Sequence, residues 1–130
     1  MSRKTMKMPM NAAIPDDIIN VLHELGIPDE PECFYFIAYA VQLALEQPQR
    51  LALVTKWLYP AISDKYSVSV SSVRNSIRKA IQAVFSGQRT AIRERLFPHC
   101  QSATTARFIA VIIRYLTTEN DPPNNPNLKT

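Results

Sequence analysis

Glycine is nearly missing from this chain: Gly26 and Gly87 are the two in 130 residues, against ten prolines. A phosphate-cradling loop, a dinucleotide fingerprint and a nucleophile elbow each need clustered glycines, so none of them can be written here. A turn-rich sandwich or barrel also draws on more glycine. Cysteine is equally sparse. Cys33 and Cys100 make no disulfide framework, and with no signal peptide they read as a reduced thiol pair. Residues 1–10 are basic and hold all four methionines, but no apolar segment follows them, so they are not read as a secretion signal. Long apolar runs are also lacking. The longest, residues 33–45, is interrupted by Gln42 and falls short of the roughly 20 residues a membrane span needs. A cytoplasmic, single-domain protein is the expectation.

What remains is ordinary in bulk and uneven in detail. Apolar residues make up 46% and charged residues 20%, too apolar for a disordered chain. The net charge of +4 conceals a strong asymmetry. Residues 1–49 carry three basic side chains against seven acidic ones, a balance of −4. Residues 50–114 carry eleven basic side chains against Asp64 and Glu94, a balance of +9, and the remainder stands at −1. A basic middle of this kind points to an anionic partner such as nucleic acid.

Hydrophobic periodicity is helical throughout. Ile18, Ile19, Leu22 and Leu25 follow Pro15 and Asp16 at 3.6-residue spacing and end at Gly26. A second helix is predicted over about 31–46, apolar nearly all round and therefore central. Others are predicted over about 50–58, 60–66, 70–85, 90–97 and 105–118, with Pro60 suited to a first turn and Ser86-Gly87 closing the fifth. The fold class is thus all-α: a compact bundle of about six or seven helices over 14–118. Residues 1–13 and 119–130 are predicted to be disordered tails.

Residues 58–85 read as short helix, tight turn, longer helix, the spacing of a helix-turn-helix. Ile62 and Tyr66 supply the first helix's apolar contacts, and Ser63 is small where the helices must approach. Ser67 takes a turn position often held by glycine, Val68 packs inward and Ser69 caps the second helix. Val70, Val73, Ile77, Ala80, Ile81 and Val84 form the buried stripe. Ser71, Ser72, Arg74, Asn75, Arg78, Lys79 and Gln82 are left facing outward together. Arginine can bond guanine bidentately and Asn or Gln can do the same to adenine, while Ser and Lys hold phosphates. Double-stranded DNA is the partner this stripe suits. Lys56, Tyr59, Lys65, Ser69, Ser71, Ser72 and Lys79 are the candidate backbone contacts.

Residues 54–86 resemble the C-terminal DNA-binding effector domain of the sporulation initiation response regulator, stage-zero sporulation protein A, a bacterial family. Val54, Thr55, Lys56, Leu58, Tyr59, Pro60 and Ile62 match one family run, and Val73, Ile77, Arg78, Ala80 and Ile81 match another. Upstream, IINVLHELGIP is similar to the family's opening helix; downstream, Phe108-Ile109-Ala110 resembles the start of its last. The resemblance covers about 14–118. It implies a transcription regulator that binds a short operator as tandem dimers and can touch RNA polymerase sigma factor. It also implies that Arg74, Asn75 and Arg78 lie where base contacts are made. The family's regulator has Glu-Arg where this chain has Arg74-Asn75, so a different operator is expected. It also carries a phosphorylated receiver ahead of the effector, and in a chain of 130 residues none is expected, so a phosphorylation-controlled dimer switch is not expected either.

Other constellations are weaker. His23, His99, Cys33 and Cys100 are zinc-ligand types without zinc-ligand spacing, so no metal and no cofactor are expected. Asp16-Asp17 complements a helix N-terminus. Trp57, Tyr59 and the aromatics of 34–39 read as core. Arg89, Arg93 and Arg95 read either as a solvated helix face or as phosphate contacts. No catalytic constellation is present, so the chain is not read as an enzyme. The alternative to a DNA-reading regulator is an interaction module that pairs with a related regulator or with sigma factor.

Overall fold

The computed structural model describes residues 14–119. The expected tails lie outside the described residues, apart from Glu119, where the last helix ends. Among the described residues there are six α-helices and no strand: α1 (Asp16–Leu25), α2 (Pro31–Glu46), α3 (Tyr59–Tyr66), α4 (Val70–Ser86), α5 (Ala91–Leu96) and α6 (Thr105–Glu119). The all-α expectation holds.

Each helix starts and stops for a local reason. Asp16 and Asp17 sit in the first turn of α1, where negative charge complements the helix dipole. Gly26 ends it with φ 92°, a left-handed angle that costs glycine nothing. The Gly26 N–H donates to the His23 carbonyl and the Ile27 N–H to that of Leu22, both at 3.1 Å, which completes a Schellman cap. Helix α2 opens on Pro31 and closes just before Pro48. Phe34, Phe36, Ile37, Ala38, Ala40, Val41, Leu43 and Ala44 are all buried on it. It packs against α1, α3, α4 and α6 and so forms the axis of the bundle.

The predicted helix at 50–58 is not α-helical. Instead a 3-10 turn (Pro48–Leu53) leads into a π turn (Val54–Leu58) that runs directly into α3. The break lies at Leu53, with φ −137° and ψ 71°. Widening of the next turn has a cause in Pro60, whose ring would clash with the carbonyl four residues back in an α-helix. Arg50 clamps the joint, donating from Nη1 to the Trp57 carbonyl and from Nε to Gln47 Oε1 at 2.7 Å. One result departs from expectation: Trp57 is 43% exposed rather than buried, and Leu53 beside the break is 46% exposed.

At the other end of the bundle, Phe97 and Phe108 stack with centroids 5.2 Å apart and planes 9° from parallel. Phe85 meets them edge-on at 5.4 Å and 6.3 Å. These rings fasten the end of α4 to α5 and α6. Arg93 completes the cluster and is neither a solvated nor a phosphate-facing residue. It is 3% exposed, its guanidinium lies 5.3 Å from the Phe85 centroid, and Nη1 donates to the Gly87 carbonyl at 3.3 Å. Its neighbours are spent on the surface, Arg89 on Glu94 at 2.9 Å and Arg95 over the Tyr115 ring. Gly87 stops α4 in an extended conformation, and a Cβ there would lie 2.9 Å from the Ala83 carbonyl oxygen.

Tyr66, the last residue of α3, lies 5.2 Å from the Phe36 ring and 5.9 Å from that of Tyr39. Its buried hydroxyl has no hydrogen-bond partner among the described residues, and burial pushes the phenol up to about 12. A phenol with a raised pKa in the fold stabilises the native state below its ordinary pKa and loses that contribution as pH rises through about 10 to 12. Tyr66→Phe removes an unsatisfied polar group, so it should leave stability at pH 8 unchanged or higher. The wild type should lose more stability than Tyr66→Phe between pH 8 and pH 11, as read by urea unfolding at both values.

Candidate nucleic-acid interface

The segment between α3 and α4 is a tight, closed turn. Ser67 adopts φ 56° and ψ 48°, a left-handed conformation that a serine holds at some cost. Its N–H and that of Val68 both donate to the Ser63 carbonyl. The Ser63 hydroxyl answers by donating to the Val68 carbonyl. Ser63 therefore needs to be small and also needs its hydroxyl, which the sequence pattern alone does not show. Ser69 follows in extended conformation and accepts from the Ser72 N–H at 3.0 Å, the expected N-cap. Its own hydroxyl donates to Ser72 Oγ at 3.0 Å.

Helix α4 then lies on α2 and α3. Val73, Ile77, Ala80, Ile81 and Val84 are buried on it, while Val70 is half-buried. Ser71, Ser72, Asn75, Arg78, Lys79 and Gln82 are exposed and Arg74 is half-buried. Arg74, Arg78 and Gln82 form one wall of a hollow of about 1000 Å³. Thr55 in the π turn and residues 101–106, which lead into α6, line the same hollow. No acidic side chain is among the described residues that line it. Neither guanidinium has an ion pair or hydrogen bond among the described residues. Asn75 stands next to them on the exposed surface of α4, outside the lining.

The candidate backbone contacts separate into groups. Lys56, on the π turn, is exposed, and so is Ser71. Lys65 is exposed with its ammonium 5.2 Å above the Tyr39 ring. Lys79 lies further round α4 and is paired across the fold with Glu30 at 3.2 Å. That hydrogen bond and its charge hold the Glu30 carboxyl below its usual range and raise the Lys79 ammonium. Ser69 and Ser72 are engaged with each other in the cap. Tyr59 reads in the sequence both as core and as a phosphate contact, and the core reading is the one that holds. It is 4% exposed, and its hydroxyl shares a 2.8 Å hydrogen bond with Thr105 Oγ1. The phenol joins α3 to α6 and is not free for a ligand.

Gln101, Ser102 and Thr55 were not among the sequence candidates, yet they line the same hollow as Arg74 and Arg78. A polar run before a helix reads as a loop, and no spacing rule places it against a helix some twenty-five residues earlier. The described geometry makes two predictions about the turn. Ser67→Gly should raise stability by about 1 kcal/mol and Ser67→Val should lower it by about 1–2 kcal/mol, because only glycine enters the left-handed region freely. Ser69→Ala should cost about 1 kcal/mol through the lost cap. Thermal unfolding followed by circular dichroism measures all three.

Residues 18–116 match the family model described as sporulation initiation factor Spo0A C terminal. The match runs from α1 into α6, well over half of the chain, and the chain belongs to this family. It is a DNA-binding effector domain of the sporulation-regulator kind. Among the described residues no helix is long and apolar enough to cross a membrane.

Proposed function

We propose that this member of the Spo0A C-terminal family regulates transcription by reading double-stranded DNA with α4 in the major groove. The observation that carries the reading is the pair of unpartnered guanidiniums, Arg74 and Arg78, on the exposed side of a helix whose other side is fixed in the core. In this reading Arg74 and Arg78 bond guanine edges through O6 and N7, and Asn75 bonds adenine. Lys56, Lys65 and Ser71 hold phosphates beside the groove, and Lys79 reaches the backbone by exchanging its exposed pair with Glu30. Ser69 and Ser72 act through the cap that aims the first turn of α4. The Arg74-Asn75 pair gives this chain an operator different from one read by Glu-Arg.

A second reading is favoured by a separate observation. Trp57 and Leu53 are exposed around the π turn, as is Leu45 at the end of α2. Large apolar side chains in that position suit a protein contact, either with a second copy on tandem sites or with sigma factor. The two readings are compatible if DNA and protein partners use different sides of the domain.

In vitro selection from random duplex DNA at near-physiological salt tests the first reading, with an enriched motif as the expected result. Arg78→Ala or Asn75→Ala should then cost about 1–3 kcal/mol at one operator position. Lys56→Ala should weaken binding to all sequences alike and flatten the salt slope by about one unit. Absence of enrichment, or equal losses by all three variants on selected and random DNA, would sink the assignment of base-reading residues.

A further inference from the structure

We propose that the loop between α5 and α6, through Gln101 and Ser102, and Thr55 of the π turn together form a second wall of the DNA site. This wall would grip the sugar-phosphate backbone of one strand while α4 lies in the groove. The inference rests on the reading of α4 given above and adds residues from elsewhere in the chain.

The reasoning begins with size. An α-helix with its side chains is roughly 10–12 Å across and the major groove is about 12 Å wide, so a helix seated there fills it. The two phosphate ridges must then lie along the flanks of the helix. On one flank of α4 stands the hollow of about 1000 Å³. Its chemistry is that of a phosphate seat. Arg74 and Arg78 supply positive charge from α4, and among the described lining residues no carboxylate opposes them. The second wall supplies neutral donors, the hydroxyls of Thr55 and Ser102 and the amide of Gln101, all on exposed residues. Neutral donors of this type make a large share of backbone contacts to DNA. Among the other hydroxyls of the lining, Thr105 is bonded to Tyr59 and Ser86 donates to the Gln82 carbonyl, while Thr104 accepts from the Arg107 N–H at 3.1 Å and keeps its own O–H to donate. Gln101, Ser102 and Thr55 have no such bond among the described residues and stand with Thr104 as the donors open to a ligand.

The wall is also held in place before any partner arrives. The Cys100 N–H donates to the Phe97 carbonyl at 3.2 Å, and Phe97 belongs to the stacked aromatic core. Tyr59 ties the start of α6 to α3. The loop therefore begins and ends on buried anchors and carries its exposed side chains between them.

Fluorescence anisotropy with the full chain and 20-base-pair duplexes, one carrying the selected motif and one of random sequence, tests this. Ser102→Glu and Gln101→Glu should each weaken binding about tenfold on both duplexes, as expected for a contact that reads no sequence. Thr118→Glu, about 20 Å further along α6, changes the charge equally and should shift affinity less than twofold. Arg78→Ala should lose clearly more affinity for the selected duplex than for the random one. If Ser102→Glu and Gln101→Glu bind within twofold of wild type while Arg78→Ala is impaired, the second wall is refuted and the α4 reading stands. If all of them bind like wild type, both fall. Should a glutamate variant unfold, Ser102→Ala takes its place, with a neutral methylphosphonate scanned along the backbone. At one or two positions the methylphosphonate should weaken the wild type more than Ser102→Ala; equal weakening at every position refutes the contact.

Discussion

The turn at Ser67 sets the geometry on which everything outward of it depends. Two backbone N–H groups converge on the Ser63 carbonyl, and the Ser63 hydroxyl returns the contact to Val68. Three hydrogen bonds within six residues fix the angle between α3 and α4. A tilt of about 5° there would move Gln82, some three turns or about 18 Å along α4, by about 1.5 Å. The left-handed serine is the strain by which this angle is held. Helix α4 is therefore aimed by its first turn and secured by its last, where Phe85 is enclosed by Phe97, Phe108 and Arg93.

Charge in the basic segment is sorted by the fold into distinct uses. Arg93 is buried over an aromatic ring, Arg50 braces the joint before α3, and Arg89 and Lys79 are paired with carboxylates. Arg74 and Arg78 remain without such partners on the lining of the hollow. The balance of +9 in the sequence thus overstates what a ligand would meet. In the proposed reading, Arg74 and Arg78 at that wall are the cations assigned to the bases.

Much of this was legible in the residues. Periodicity placed α1, α2, α4 and α6 almost to the residue, because each has an apolar stripe wide enough to bury, and α1, α2 and α4 also have a Pro, Gly or Ser at an end. Ser69 as a cap and Ser67 as a turn residue in a place often held by glycine followed from the pattern, and the left-handed angle of Ser67 is what the structure adds. Misreadings arose where the decisive contact is distant or depends on a packing detail. Residues 50–58 look helical because 3-10, α and π turns all bring residues three to five apart onto one side, and so short a stretch does not tell their periods apart. Trp57 reads as core in the sequence, yet it is exposed on the wider turn. Tyr59 and Arg93 have polar tips that suggest a ligand, and their partners, Thr105 and the Gly87 carbonyl, cannot be inferred from neighbouring letters. The wall at Gln101 and Ser102 was illegible for the same reason.

The closed turn at Ser67 has a further consequence for how a DNA-binding domain of this shape can discriminate. With α4 tied at both ends and almost no glycine to serve as a pivot, the protein brings a preformed surface to its partner. Where that surface and a straight duplex do not match, the duplex is the partner that has to bend, twist or narrow its groove. The energy of doing so varies with base-pair steps that no side chain touches. A rigid reader is in this way sensitive to the mechanics of DNA as well as to its letters.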